Sequence, residues 1–198
     1  TAFAARCRKI FETGSRLIGW EGREAPERKT GRLRRGIGMS RGFHTSGTGA
    51  PVPGEVKDYT TVQVKVNEDG SIDILTALMD HGGGTLDAAA KLVAEEFCVP
   101  FDKVGISPAD TRSTGYDVCT HATRGVYCGA GAVLEVARDA KRVLFEYASR
   151  LLNAPVDSLK PRLDEDSGQG TIYVVGMPEK RMSIAAVAQE AMNNDWGT

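Results

Sequence analysis

The fold of this chain is decided by the stretch that begins with the loop Asp80-His81-Gly82-Gly83-Gly84-Thr85 and continues to a second loop, Thr120-His121-Ala122-Thr123-Arg124-Gly125. Each loop leads into a helical pattern of apolar residues. Backbone N–H groups at a helix start lack partners within the helix, and glycines let an anion approach them closely. The two loops together predict a binding site for a large phosphorylated cofactor.

Periodic patterns predict regular elements on both sides of these loops. Residues 60–66 and 71–78 alternate with period two around the Glu68-Asp69-Gly70 turn, which predicts a β-hairpin. Helices are predicted over residues 2–19, 86–97, 122–152 and 183–193, strands over 36–39, 104–107 and 171–177, and an acidic loop over 159–170. We therefore expect an α+β fold, in which a mixed sheet with a β-hairpin packs against two or three helices.

Changes in composition divide the chain into three parts. Residues 1–35 are expected to form a helix and a basic linker from a preceding region, and residues 36–153 an α+β domain with the hairpin and two helices. Residues 154–198 are expected to form an acidic loop, a strand and a helix that continue the same subunit. Because Thr1 is not a Met and the chain stops directly after a helical pattern, we expect both ends to be cuts through a larger protein.

The composition is that of a globular protein, with 41% hydrophobic and 26% charged residues. No apolar run approaches the roughly 20 residues of a membrane span, so no membrane partner is predicted. The first 43 residues are basic, but no aromatic residues alternate with their arginines, so nucleic-acid binding is not predicted either. We instead expect these residues to form a solvated segment or a segment that contacts an acidic surface of a partner.

The cysteines and histidines do not indicate a protein-ligated metal. Cys7, Cys98, Cys119 and Cys128 are far apart and form no C-x-x-C pair, so we expect free thiols, no metal ligands and a cytoplasmic location. The three histidines, His44, His81 and His121, show no metal-ligand spacing. His81 and His121 lie in the two loops, where either acid–base chemistry or simple local hydrogen bonding is open.

Each loop also has a purely structural interpretation. Gly82, Gly83 and Gly84 would serve equally well in a turn that only needs left-handed backbone angles. Thr120 or Thr123 would cap a helix in the ordinary way, with Arg124 on the surface. The presence of two such loops in one domain favours the cofactor site.

Five short motifs occur in a recognisable order: Arg35-Gly36-Ile37-Gly38-Met39, Glu68-Asp69-Gly70-Ser71, the first loop, Val99-Pro100, and Ala122-Thr123-Arg124-Gly125-Val126-Tyr127. Over residues 10–153 this order resembles the molybdenum-binding subunit of the xanthine dehydrogenase/aldehyde oxidase family. The resemblance implies a larger molybdopterin-binding domain whose molybdenum is held by the pterin and not by protein side chains. It further implies hydroxylation of a purine, an N-heterocycle or an aldehyde with oxygen from water, and electron transfer through 2Fe–2S clusters to FAD on partner domains or subunits.

The resemblance assigns roles to individual residues. The cofactor-binding positions are Gly82, Gly83 and Gly84 in the first loop and Thr120, Ala122, Thr123, Arg124 and Gly125 in the second, which would lie near the phosphates of a cytosine dinucleotide form. The substrate pocket would include Met39, Ser40 and Ala122. The family's catalytic glutamate lies outside this chain, so no catalytic residue is assigned and the fragment alone is expected to be inactive.

Two other functions stay open at this point. Gly83 stands where many relatives have a Gln, which leaves open a structural or assembly module of a split hydroxylase that has lost its cofactor. Within the family, a hydroxybenzoyl-CoA-reductase-like or nicotinate-dehydrogenase-like subunit, with the molybdenum half divided between two genes, is the second alternative.

Overall fold

The first helix, α1 (Ala2–Leu17), confirms the predicted N-terminal helix. The computed structural model describes residues 2–23, 31–33, 36–40, 42, 59–118 and 120–193, and these belong to two units, Thr1–His44 and Thr45–Thr198. Residues 36–40 therefore group with α1, and a Cβ added to Gly14 would lie 3.7 Å from Met39 Sδ. The strand predicted over residues 36–39 is wrong, since none of these residues lies in a strand. Gly36 and Gly38 offer no side chains with which a strand would pack.

The second unit begins with the predicted β-hairpin. Strands β1 (Val62–Val66) and β2 (Ile72–Thr76) pair antiparallel, with Val64 opposite Ile74. Ile72 and Ile74 of β2 are fully buried, because the alternating pattern directs these side chains to one face. The β-hairpin prediction is confirmed.

A helical crossover follows the hairpin. Helix α2 (Thr85–Phe97) leads to β3 (Val104–Ser107), which pairs parallel to β2, so the three-stranded sheet is mixed in the order β1-β2-β3. The carboxyl ends of parallel strands lie at the same sheet edge, which is where ligands bind in open α/β sheets. The segments that follow β2 and β3 contain the first and the second loop respectively, so the topology carries both towards this edge.

The long helix is interrupted near its start. Residues Gly125–Ala130 form a π-helical turn, and α3 (Gly131–Leu152) continues from it, so the helix predicted from residue 122 is confirmed except for its first turns. Helix α3 packs over β1 and helix α2 over β3, and their buried side chains form the core together with Ile72 and Ile74 of β2. This core includes Val93 and Phe97 of α2 together with Val133, Ala137, Leu144 and Ala148 of α3.

A second, fully antiparallel sheet covers residues 159–183 and corrects two predictions. Its strands are β4 (Leu159–Asp164), β5 (Gln169–Val174) and β6 (Met177–Ser183), in the order β4-β5-β6. The acidic loop predicted over residues 159–170 is thus largely strand, and the strand predicted over 171–177 ends at Val174. Both outer strands are edge strands, where charges and Pro161 are tolerated. Their weak apolar alternation explains why the sequence pattern missed them.

The last helix, α4 (Ile184–Asn193), confirms the predicted C-terminal helix and its cap. Ser183 Oγ accepts a hydrogen bond from Ala186 N at 3.1 Å. Gln189 Nε2 donates to Glu68 O at 3.1 Å, and a Cβ added to Gly70 would lie 3.2 Å from Ala185 N. Helix α4 therefore packs against the hairpin turn of the same unit. Among the described helices, none combines the length and the apolar character that crossing a membrane requires.

Candidate cofactor site

The two predicted loops lie next to each other. Met79 N, directly before the first loop, donates a hydrogen bond of 3.1 Å to Thr120 Oγ1 of the second loop. A Cβ added to Gly125 would lie 3.1 Å from Thr120 Cγ2 and 3.3 Å from the hydroxyl of Thr85, the first residue of α2. The starts of α2 and of the long helix are therefore in close contact. The structure thus brings together the two groups of residues that the sequence predicts to bind a cofactor.

Close backbone approach is what makes this contact possible. A Cβ on Gly129 would lie 2.6 Å and 2.9 Å from the two Cδ atoms of Leu78, which is buried at the end of the segment that follows β2. Gly125 and Gly129 are four positions apart and so lie on one face of the helix start. Because neither glycine has a side chain, the π-helical turn packs closely against Leu78 and against Thr85 of the first loop.

The first loop is organised by Asp80. Its Oδ1 accepts hydrogen bonds from Gly82 N at 2.7 Å and from Gly84 N at 3.2 Å, and its Oδ2 accepts from Leu86 N at 3.4 Å. Gly82 has a φ of 95° and Gly84 one of 74°, a region that favours glycine. The left-handed-turn interpretation of these two glycines is therefore correct, whatever else the loop binds.

Gly83 differs from its two neighbours. Its φ is not positive, it is exposed, and a Cβ added to it would meet no atom within 4 Å. A side chain at this position would consequently extend into the space beside the loop without disturbing the chain itself. The backbone of Gly83 is accessible to a large ligand.

The second loop presents small exposed residues. Ala122 and Thr123 are both exposed, and Ala122 has a φ of 49°, which is uncommon for a residue with a Cβ. The π-helical turn follows directly, and such turns are frequent at functional sites. Its first turn contains no acidic residue, so the positive end of this helix faces no negative side chain of its own first turn.

Arg124 is the largest fully buried side chain among the described residues, with 1% of its surface exposed. Its Nη1 lies 3.0 Å from Asp117 Oδ1, and the exposed fraction of the Asp117 side chain is only 3%. Its Nη2 donates to Tyr59 O and, at 2.9 Å, to Thr60 Oγ1. The guanidinium thus joins the segment before β1, the end of the 108–118 loop and the start of the long helix.

This geometry corrects the interpretation of Arg124 as a surface side chain. The sequence predicted that its guanidinium meets a phosphate, whereas the structure directs it into the protein interior and pairs it with Asp117. Sequence reasoning missed Asp117, Tyr59 and Thr60, because no local pattern links positions that lie up to 65 residues apart. The burial of Arg124 makes it a residue that holds the loop in place.

Two tyrosines lie beside this buried pair. Tyr59 and Tyr116 are both exposed, and their ring centroids are 5.7 Å apart with the planes tilted by 45°. Tyr59 supplies its carbonyl to Arg124, and Tyr116 directly precedes Asp117. The Arg124–Asp117 pair therefore also fixes the two chain segments that carry an exposed aromatic pair.

For the remaining candidate residues, the structure gives the exposure and the unit to which each belongs. His81 is exposed and His121 is half-buried. Met39 and Ser40 belong to the first unit, so their role in a substrate pocket stays a prediction. Cys7, Cys98 and Cys128 are half-buried and form no disulfide, whereas Cys119 and His44 lie outside the described residues. Within the described ranges, no three His, Cys, Asp or Glu side chains form a metal-binding group.

The first loop should respond to acid through Asp80. Hydrogen bonds from Gly82 N, and more weakly from Gly84 N and Leu86 N, hold the pKa of this carboxyl below its usual range. Since the folded pKa is lowered, the stabilisation of the loop is present above about pH 4 and is lost as the pH falls through the lowered value. We expect the Gly82 and Gly84 amide resonances to shift together over that acid range in an NMR titration. An Asp80→Asn variant should show no such shift, and an unchanged transition in that variant would assign the titration to another group.

The fold and the site define the class of protein: an α+β cofactor-binding domain with two small-residue loops at one sheet edge. Over residues 13–197 the chain matches the family described as the molybdopterin cofactor-binding domain, and it belongs to that family. It is 29% identical over 192 residues to the xanthine dehydrogenase molybdenum-binding subunit of Escherichia coli O157:H7, which covers 96% of this chain and 24% of that protein.

A second relative and one solved structure agree with this assignment, and a second solved structure shares the fold. The nicotine 6-hydroxylase large subunit of Paenarthrobacter nicotinovorans is 27% identical over 170 residues, covering 84% of this chain and 20% of the relative. Quinoline 2-oxidoreductase from Pseudomonas putida 86 has a TM-score of 0.60 at 26% identity, covering 68% of this chain and 16% of that one. The Cu,Mo-CO dehydrogenase has a TM-score of 0.63 at 21% identity, covering 75% and 18%, which supports the fold alone.

These comparisons confirm the resemblance inferred from the five motifs and the predicted α+β class. The chain spans about a quarter or less of the length of the relatives that it matches. It therefore aligns with one part of the molybdenum-binding subunit of Escherichia coli O157:H7.

Proposed function

We propose that this chain supplies part of the molybdopterin site of a molybdenum hydroxylase, in which it holds the cofactor and shapes one side of the substrate pocket. The observation that carries the proposal is the contact between the two small-residue loops, made by Met79 N and Thr120 Oγ1. Belonging to the molybdopterin cofactor-binding domain family supplies the identity of the ligand. The full-length protein would be an oxidoreductase, and this part alone would be inactive.

The residues present fit a large cofactor. Gly82, Gly83 and Gly84 leave open space around their α-carbons, and Ala122 and Thr123 are exposed on the adjoining loop. A pterin would meet backbone and small side chains at these positions. When bound, molybdopterin supplies the molybdenum centre that accepts electrons from the substrate. The chain's own contribution is to bind and orient the cofactor and to exclude water from its contact surface.

The second loop is the better candidate for the phosphate end. It begins a helix whose first turn has no acidic residue, and Thr120 and Thr123 add hydroxyl groups. We propose contacts from the loop backbone and hydroxyls, with Arg124 holding the loop from inside. A cytosine dinucleotide form of the cofactor, with its additional phosphate, would extend along the same loop.

We propose the substrate class from the names of the relatives, and the partners from the family resemblance. A purine, N-heterocycle or aldehyde is the proposed substrate, since the relatives' names include xanthine dehydrogenase, nicotine 6-hydroxylase and quinoline 2-oxidoreductase. Domains or subunits with 2Fe–2S clusters and FAD would carry the electrons away, and the rest of the molybdenum subunit would complete the site. Met39, Ser40 and Ala122 stay predicted pocket residues, and the cytoplasmic location stays a prediction.

Gly83→Val in the full-length parent protein tests the proposal. Because a side chain at Gly83 would meet nothing in the chain, we expect the variant to fold with unchanged thermal stability. We expect it to contain less molybdenum per chain than the parent, since the branched apolar side chain would lie against the cofactor at a position where many relatives place a polar Gln. Molybdenum is measured by plasma mass spectrometry, and released pterin by the fluorescence of its oxidised form.

The matched control is Gly131→Val, at a position that is also open but lies beyond the two loops, at the start of α3. This variant should keep its full molybdenum content. Full molybdenum in Gly83→Val would remove the first loop from the site. A parent without molybdenum or pterin, made in a cofactor-competent host and complexed with its partners, would instead support the cofactor-less assembly module, which Gly83 in place of the family's Gln leaves open.

A further inference from the structure

The first loop already contains an anion. Three glycines in succession, followed by a helix start, form a concavity of N–H groups of the kind that binds phosphate. In this chain the Asp80 carboxylate accepts from Gly82 N, Gly84 N and Leu86 N, at 2.7, 3.2 and 3.4 Å. The donors that a phosphate would need are thus directed at a carboxylate of the same chain.

A second negative charge lies at the same helix start. Asp87 occupies the first turn of α2, where the helix dipole favours negative charge, and it forms an exposed ion pair with Lys91 at 2.6 Å. A phosphate entering the first loop would meet Asp80 in contact distance and Asp87 one turn away. Like charges at such distances repel each other. The first turn of the second helix start has no acidic residue, so the two helix starts differ in their suitability for a phosphate.

We propose that Asp80 is a positioning residue that fills the anion-binding concavity of the glycine loop, fixes the loop in its shape before any cofactor arrives, and excludes phosphate from it. The phosphate of the cofactor is thereby directed to the second loop, while the glycine loop contacts a part of the cofactor without phosphate. This inference rests on the proposed molybdopterin site, but its central statement concerns the chain without cofactor and is tested there.

The experiment uses the full 198-residue chain, ¹⁵N-labelled, with inorganic phosphate as the probe. In the unchanged chain, phosphate should leave the amide resonances of Gly82, Gly83 and Gly84 in place. In Asp80→Ala the same amides should exchange their hydrogens about tenfold faster, because they have lost a charged hydrogen-bond acceptor. Added phosphate should then shift these resonances in a saturable manner and slow the exchange again.

Asp69→Ala is the matched control. Like Asp80, Asp69 accepts a hydrogen bond from a backbone N–H two residues ahead, here Ser71 N at 2.9 Å, but it lies in the hairpin turn. Its replacement should leave the glycine amides and their indifference to phosphate unchanged. Asp80→Asn keeps an acceptor oxygen without the charge, so it preserves the loop and should still gain a measurable response to phosphate. It provides the test if the alanine variant does not fold.

Two results would overturn the inference. The first is a phosphate response of the glycine amides in the unchanged chain as strong as in Asp80→Ala, and the second is the absence of any response in both Asp80 variants. Neither result depends on molybdenum. The proposed function fails separately, if the full-length parent lacks molybdenum and pterin.

Discussion

Replacing Arg124 with alanine is expected to lower the free energy of unfolding by about 3–5 kcal/mol. The change leaves the Asp117 carboxylate, whose side chain is only 3% exposed, without its 3.0 Å partner. It also removes the donors to Tyr59 O and Thr60 Oγ1. Urea unfolding of the chain, followed by circular dichroism, gives the value. The cost is large because a buried charge without a partner is far less favourable than a buried pair.

A double variant separates this explanation from general damage to the core. Arg124→Ala combined with Asp117→Ala removes both charges, so it should recover a substantial part of the stability that the single variant loses. Arg124→Lys keeps the charge but lacks the planar guanidinium that contacts three groups. Its free energy of unfolding should lie between those of the single and the double alanine variants. A normal free energy of unfolding for Arg124→Ala, together with loss of molybdenum from the parent protein, would contradict the structural role and restore the direct phosphate contact.

Gly125→Val is expected to have the second largest effect, because it inserts a side chain between the two loops. Its Cβ would lie 3.1 Å from Thr120 Cγ2 and 3.3 Å from Thr85 Oγ1, and its γ-methyl groups would extend further. We expect a loss of about 1–3 kcal/mol in the free energy of unfolding, as for other overpacked sites. We also expect the parent protein to lose most of its molybdenum, since the helix starts would be pushed apart.

The control is Gly131→Val, six positions along the same helix, where a Cβ would meet nothing within 4 Å. Valine has a somewhat higher helix propensity than glycine, so this variant should be neutral or slightly more stable. If Gly125→Val kept both its stability and its molybdenum, the contact between the helix starts would not matter for the site. Thermal unfolding and metal content measured on both variants decide the question.

The parts of the fold that the sequence predicted are those with local periodic signals. The β-hairpin, α2 and α4 each carry a period or a cap within a few residues, such as Ser183 before α4. Strands β4 and β6 were missed because edge strands bury little and tolerate charges and Pro161. The π-helical turn was also missed. Gly129 of this turn lies against Leu78, a long-range contact that no local pattern indicates.

The candidate site also has parts that local sequence patterns predict and parts that they do not. The two loops were located from their glycines and threonines, and the Asp80–Gly82 bond follows from the ordinary tendency of aspartate to accept from a backbone N–H two residues ahead. The inward direction of Arg124 was not predictable from its neighbours, because its partners Tyr59 and Thr60 are 65 and 64 residues away. Long-range pairing of this kind is decided by the tertiary structure alone.

The pairing of Arg124 with Tyr59 and Thr60 also bears on the order in which the unit folds. Contacts across 64 or 65 residues require the closure of a long loop, whose entropic cost has to be met before the contact contributes stability. The hairpin and α2 are formed by contacts between residues that are close in sequence, so they can form before this loop closes. A refolding chain should thus acquire its sheet and helices first and lock the second loop only when the segment before β1 docks. Capture of a cofactor would then require a completed unit and not a partly folded one.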